Sequence, residues 1–132
     1  MSLIVDPQHP FEECGIDGAA LSDEVLIVRE PGSSSREMVA QALATHGIEP
    51  KRTLEVGSTE AIEQTVAAGL GVAIVSSITI IDQVRLGRLR MVPIHNLFIE
   101  RTMWQLKALG RIDIPAATAF ERIIWQDSRL RR

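Results

Sequence analysis

Two serine-rich turns, Ser33-Ser34-Ser35 and Gly57-Ser58-Thr59, each close a short run of strand-forming residues and precede apolar residues at helical spacing. That order constrains the fold more than any other feature of the chain. The first run, Val25-Leu26-Ile27-Val28, is apolar at four successive positions and bounded by charge. A strand with one wet face alternates, whereas one covered on both faces of a parallel sheet is apolar throughout. Pro31-Gly32-Ser33 then breaks the strand. Ser34 and Glu37 have the spacing of a capping box, in which two side chains satisfy orphan N–H groups at a helix start. Met38, Val39, Ala42, Leu43 and His46 follow at helical spacing, with Gly47 and Pro50 as the stop. His46 is favourably placed there against the helix dipole.

Residues 53–56 read as a second strand. The helix opened by Gly57-Ser58-Thr59 carries Glu60 in its first turn and Ile62, Val66 and Ala67 on one face, and Gly69 ends it. Residues 71–75 read as a third buried strand. Ser76 or Ser77 starts a third short helix through about Arg85, and Gly87 stops it. A short strand at 89–92, an extended strand over 97–109 and a helix over 115–127 complete the order. Pro115 suits a first helical turn, and Ala119, Phe120, Ile123 and Ile124 form the apolar face. Ahead of all this, apolar residues 3–5 lead into Pro7 and Pro10, and 11–23 read as a surface loop with one helical turn. Strands alternating with helices argue an α/β fold, a three-layer Rossmann-like parallel sheet with right-handed crossovers.

Composition narrows the function classes. The chain has 132 residues, 45% apolar and 23% charged, which suits one ordered domain. A formal net charge of −3 argues against a surface that holds DNA unaided, since such domains carry a basic face. One cysteine, Cys14, allows no intrachain disulfide and no thiolate metal cluster. No signal-peptide pattern is visible, and the longest apolar run, 69–75, is far short of a membrane span. A cytoplasmic protein without membrane attachment is the expectation.

Catalytic and metal chemistry find little support. Gly69-Leu70-Gly71 ends a helix and opens a strand, the reverse of the context a dinucleotide fingerprint requires. His9, His46 and His95 are widely separated, so no metal site is expected. No serine sits in a nucleophile elbow, and Glu12-Glu13 and Asp23-Glu24 read as solvated loop pairs. No catalytic residue and no cofactor are expected. The two serine-rich turns are more informative. In an open parallel sheet, ligands bind beyond the carboxyl ends of the strands, where helix N-termini offer N–H donors to anions. The dipole adds about 0.3–1 kcal/mol per charge. Ordinary capping by serine and threonine accounts for either turn alone. Two on one sheet edge also suit a small anion.

The same turns carry a family resemblance. Leu26-Ile27-Val28-Arg29-Glu30-Pro31-Gly32-Ser33-Ser34-Ser35-Arg36 resembles the start of the second subdomain of LysR-type effector domains, with Ser34 and Ser35 in place of a Gly and a Thr. Glu55-Val56-Gly57-Ser58-Thr59-Glu60-Ala61-Ile62, continued by Val66-Ala67-Ala68-Gly69-Leu70-Gly71-Val72-Ala73-Ile74, is the more specific match. Residues 5–11 resemble the crossover from a first subdomain, 87–94 the late strand and 115–124 the terminal helix. The resemblance runs in order through nearly the whole chain.

It implies one lobe of a type II periplasmic-binding-protein-like fold. Residues 1–23 become a crossover and hinge segment, 24–96 the effector-binding subdomain, and 97–132 a return strand and C-terminal helix. The function implied is ligand sensing in a transcriptional regulator, with a small anionic effector held between subdomains and its binding altering their angle. By the same resemblance, Ser33, Ser34, Ser35, Gly57, Ser58 and Thr59 are the effector-binding residues. The helix-turn-helix that reads DNA and most of the first subdomain are expected to be missing from this chain, which predicts weak effector binding by it alone. Uncovered, the terminal helix would expose Phe120, Ile123, Ile124 and Trp125 at about 1.5–3 kcal/mol each, favouring a homodimer with strand and helix exchanged. Family dimers also imply pairing through residues 36–47 and 52–56. Three rivals remain: a lobe of a solute-binding protein, which would need a signal peptide; an α/β enzyme using the same edge; and a freestanding dimerisation fragment.

Overall fold

The structure is a computed structural model that describes residues 1–102, 104, 106, 110 and 114–126. It divides into two compact units, Met1–Arg101 and Thr102–Arg132. In the first, β1 (Ser2–Val5) is followed by a short 3-10 helix (Gly18–Asp23). Then come β2 (Val25–Arg29), α1 (Ser34–Thr45), β3 (Arg52–Val56), α2 (Thr59–Ala67), β4 (Ala73–Val75), α3 (Ile81–Arg85) and β5 (Arg90–Val92). The second unit contains α4 (Pro115–Gln126).

The strands form two ladders, β4-β1-β5 and β2-β3. β2 and β3 run parallel, in register from Val25↔Arg52 to Arg29↔Val56. β1 runs antiparallel to both neighbours, with Leu3 opposite Ile74 on one side and Val92 on the other. A parallel bridge, Leu26↔Val72, sets β2 beside the chain entering β4. Ile27 N–H donates to the Val72 carbonyl at 2.8 Å, and Val72 N–H to that of Val25 at 3.0 Å. The fold is therefore α/β, as expected, with a mixed sheet whose antiparallel member is the first strand.

Alternation along the strands explains the layers. Leu3, Val5, Leu26, Val72 and Ile74 pack with Val39 and Leu43 of α1 and with Leu21. Ile4, Ile27, Ala73 and Val75 pack instead with Ile62 and Val66 of α2 and with Ile80. Successive residues of a strand point to opposite faces. Each continuous apolar run thus supplies both cores at once, which is why the runs show no polar alternation.

Helix ends mostly follow the expected punctuation. Gly47, Gly69 and Gly87 take φ of +67°, +71° and +68° after α1, α2 and α3, a region that favours glycine. His46 caps α1, with Nδ1 2.8 Å from the Ala42 carbonyl oxygen. The Ser34–Glu37 capping box does not form. Ser33 is the N-cap, because its carbonyl accepts the Glu37 N–H at 3.1 Å and so draws Ser34 inside the helix. Neither Ser76 nor Ser77 starts α3. The Ser76 carbonyl accepts both the N–H (3.1 Å) and the hydroxyl (2.9 Å) of Thr79, which makes a turn, and the helix begins at Ile81.

The extended strand expected over 97–109 is absent among its described residues, while 103, 105 and 107–109 lie outside them. Its alternation has a different origin. Leu97 and Ile99 are buried against the core and Phe98 faces solvent, yet no ladder pairs with the segment in the described residues. α4 matches the expected final helix through Gln126, and residue 127 lies outside the described set.

Candidate functional site

Arg29, the last residue of β2, stands where the N-termini of α1 and α2 meet the chain leaving β4. A cavity of about 70 Å³ lies there, lined by Arg29, Ser35, Arg36, Thr59, Ser76, Thr79 and Arg101 among its polar residues. Ile27, Val39, Ile62 and Ile74 supply apolar lining. Three guanidinium groups and no carboxylate line it, although Arg29 and Arg36 are each ion-paired with a carboxylate outside the lining, Glu30 and Glu55.

Two of those guanidinium groups, Arg29 and Arg36, are held in place by hydrogen bonds. Arg29 Nε and Nη2 donate to Glu30 Oε2 and Oε1, both at 2.8 Å, and Nη1 donates to Thr59 Oγ1 at 3.2 Å. The fork geometry of such a pair fixes the orientation of the guanidinium as well as its position. The Arg29 hydrogen bonds hold the Glu30 carboxyl below the usual carboxylate range, and Glu30 in turn raises the already high Arg29. Arg36 Nη1 donates to the Arg29 carbonyl and to Glu55 Oε2, both at 2.7 Å, tying α1 to the ends of β2 and β3.

Hydroxyl groups differ in what remains free to bind. Ser58 is the N-cap of α2, and its Oγ accepts the Ala61 N–H at 3.0 Å. Ser33, the N-cap of α1, makes no such bond, and its Oγ lies 2.9 Å from Ser35 Oγ. Of the residues expected at the site, Ser35 and Thr59 line the cavity together. Ser33 sits one hydrogen bond behind Ser35, while Ser34, Gly57 and Ser58 are exposed and outside the lining. Sequence reasoning reached these hydroxyls but missed the arginines, Ser76 and Thr79. One signal for Arg29 was available: a charge closing an apolar strand falls at the ligand edge of an open sheet. Arg101, distant in sequence, gave none.

A model of the LysR substrate binding domain matches residues 1–128. The chain belongs to that family. Among curated relatives of this LysR domain, the RuBisCO operon transcriptional regulator of Acidithiobacillus ferrooxidans is 32% identical over 121 residues, covering 91% of the chain and 39% of the relative. The HTH-type transcriptional regulator CbbR of Xanthobacter flavus is 37% identical over 121 residues, covering 89% and 36%. The chain thus spans between a third and two-fifths of the length of these relatives.

Solved structures agree on the fold. The CcmR regulatory domain of Synechocystis PCC6803, in complex with 2-PG, superposes with a TM-score of 0.74 at 25% identity, over 93% of this chain and 60% of that one. The BenM effector binding domain with its effector benzoate gives 0.62 at 26% identity, over 72% and 44%. Among the described residues, no helix is long and apolar enough to cross a membrane, and no group of three or more His, Cys, Asp or Glu side chains is placed to hold a metal ion.

Proposed function

We propose that this LysR domain forms one wall of an effector site for a small anionic metabolite, in a transcriptional regulator that performs no catalysis. One observation carries the reading: three arginines and the hydroxyls of Ser35 and Thr59 line one cavity that has no carboxylate in its lining. Benzoate, the effector of the related BenM domain, is itself a carboxylate anion, which supports that charge class. Ser33, Ser34, Gly57 and Ser58 support this wall from the two turns: Ser58 caps α2 through its hydroxyl, Ser33 lies in hydrogen-bond reach of Ser35, and Ser34 and Gly57 contribute backbone. A ligand held against a second subdomain shifts the population of subdomain angles, and DNA control follows through a helix-turn-helix elsewhere in the regulator.

An amide NMR titration of this chain with benzoate and with inorganic phosphate tests the reading. The expected result is weak, fast-exchange binding with shifts centred on Arg29, Ser35 and Thr59. Shifts centred elsewhere, or none, overturn it.

A further inference from the structure

Glu30 is not among the residues that line the cavity, yet it is hydrogen-bonded to one that is, Arg29. An arginine guanidinium offers five donors and no acceptor. In the 3.2 Å contact between Arg29 Nη1 and Thr59 Oγ1, the threonine therefore accepts. Its own O–H proton is left for another acceptor, and Thr59 lines the cavity. Arg29 makes this contact while two 2.8 Å bonds from Nε and Nη2 to Glu30 fix the orientation of its guanidinium.

We infer that Glu30 is a positioning residue for the effector: acting through Arg29, it holds Thr59 as a hydrogen-bond donor toward a bound anion. The inference rests on the anion-site reading above and adds the residue that sets its donor geometry. Charge and geometry make opposite predictions here, which gives the test its power. If Glu30 acted only through its negative charge, removing that charge would tighten anion binding. As a positioning residue, its removal weakens binding, because Arg29 loses its anchor and the Thr59 hydroxyl is free to turn.

The probe is inorganic phosphate, followed by the amide shifts of Ser35 and Thr59 in the full chain at fixed ionic strength. Glu30→Gln is expected to weaken binding on the order of fivefold, the worth of about one hydrogen bond. Thr59→Val should weaken it by a similar factor, and Thr59→Ser should restore it. Glu60→Gln removes the same unit charge one residue from Thr59 without touching the Arg29 clamp, and should leave binding equal or tighter. Unchanged or tighter binding in Glu30→Gln, with the parent protein binding normally, overturns the positioning role and leaves the anion-site reading standing. Absence of phosphate shifts in the parent overturns both. Should Glu30→Gln prove unfolded by its amide spectrum, Glu30→Asp, which keeps the charge but shortens the reach to Arg29, must show the same weakening, and parent-like affinity there overturns the inference.

Discussion

Ser58 Oγ accepts the backbone N–H of Ala61 at 3.0 Å, whereas Ser33, in the equivalent place on α1, spends its hydroxyl on Ser35. Both serines precede a helix, but only one caps it through its side chain. Ser58→Ala is expected to cost about 1 kcal/mol of stability, and Ser33→Ala markedly less. Urea unfolding of the two variants checks this, and equal losses would contradict the assignment of the caps.

Gly71 lies where the chain turns from α2 into β4, tight against β2. A Cβ there would overlap the Val25 carbonyl oxygen and come within 3.2 Å of Ile27 Cγ1. Since that carbonyl also accepts the Val72 N–H, it has little room to yield. Gly71→Ala should destabilise by roughly 1–3 kcal/mol, whereas Gly57→Ala, with open space at its Cβ, should not pay this steric cost. Chemical denaturation of both variants decides it.

Glu63 on α2 is only 8% exposed, and burial, followed by the charge of Glu60, raises its carboxyl above the usual range. Between the ordinary glutamate value and the raised one, the folded state binds more protons than the unfolded state. Stability contributed by this group therefore falls as pH rises through that window. Glu63→Gln should raise Tm at neutral pH and flatten the slope on the acid side. Parallel pH profiles for parent and variant in thermal melts would show that the carboxyl is not under strain.

Glu30 has the opposite sign. Its folded-state value is lowered by Arg29, so its contribution is present at neutral pH and disappears as pH falls through the lowered value. Phosphate is a poor probe under acid conditions, so the clamp is followed through the Arg29 side-chain NMR signals. They should hold their position through the ordinary glutamate range and move only below it. Movement centred on that ordinary range would mean that Arg29 does not hold Glu30.

α4 exposes Phe120 at 62% and Ile123 at 66% on an otherwise amphipathic helix. Covering such side chains is worth about 1.5–3 kcal/mol each. We expect a homodimer by light scattering, converted to monomer by Phe120→Glu with Ile123→Glu. A monomeric parent at high concentration would remove α4 as an association surface.

Most strands and helices were legible because they depend on local signals, the strand expected over 97–109 and the start of α3 being the exceptions. Val25 to Val28 had to be covered on both faces, and the glycines at 47, 69 and 87 had to end helices. The direction of β1 was not legible, because four residues carry no information about which neighbours they will meet. The capping box failed by one residue, since Ser33, Ser34 and Ser35 are chemically alike and only the backbone decides which is the cap. At the site, Ser35 and Thr59 could be placed from their turns. Arg101 could not, because the alternation of Leu97, Phe98 and Ile99 ahead of it marks burial but not where in the fold the segment lies.

The Leu26↔Val72 bridge has a mechanical consequence. Arg29 and the ladder that carries it meet the β4-β1-β5 ladder along a seam with two backbone hydrogen bonds at Val72. Side chains of both ladders pack together in the two cores on either side of that seam. Two such ladders are natural candidates for separate opening units, in which amides protected within each ladder exchange at different free energies. The Val72 and Ile27 amides then act as a gauge: their exchange reports whether the site-bearing ladder breathes by itself or only when the whole sheet opens.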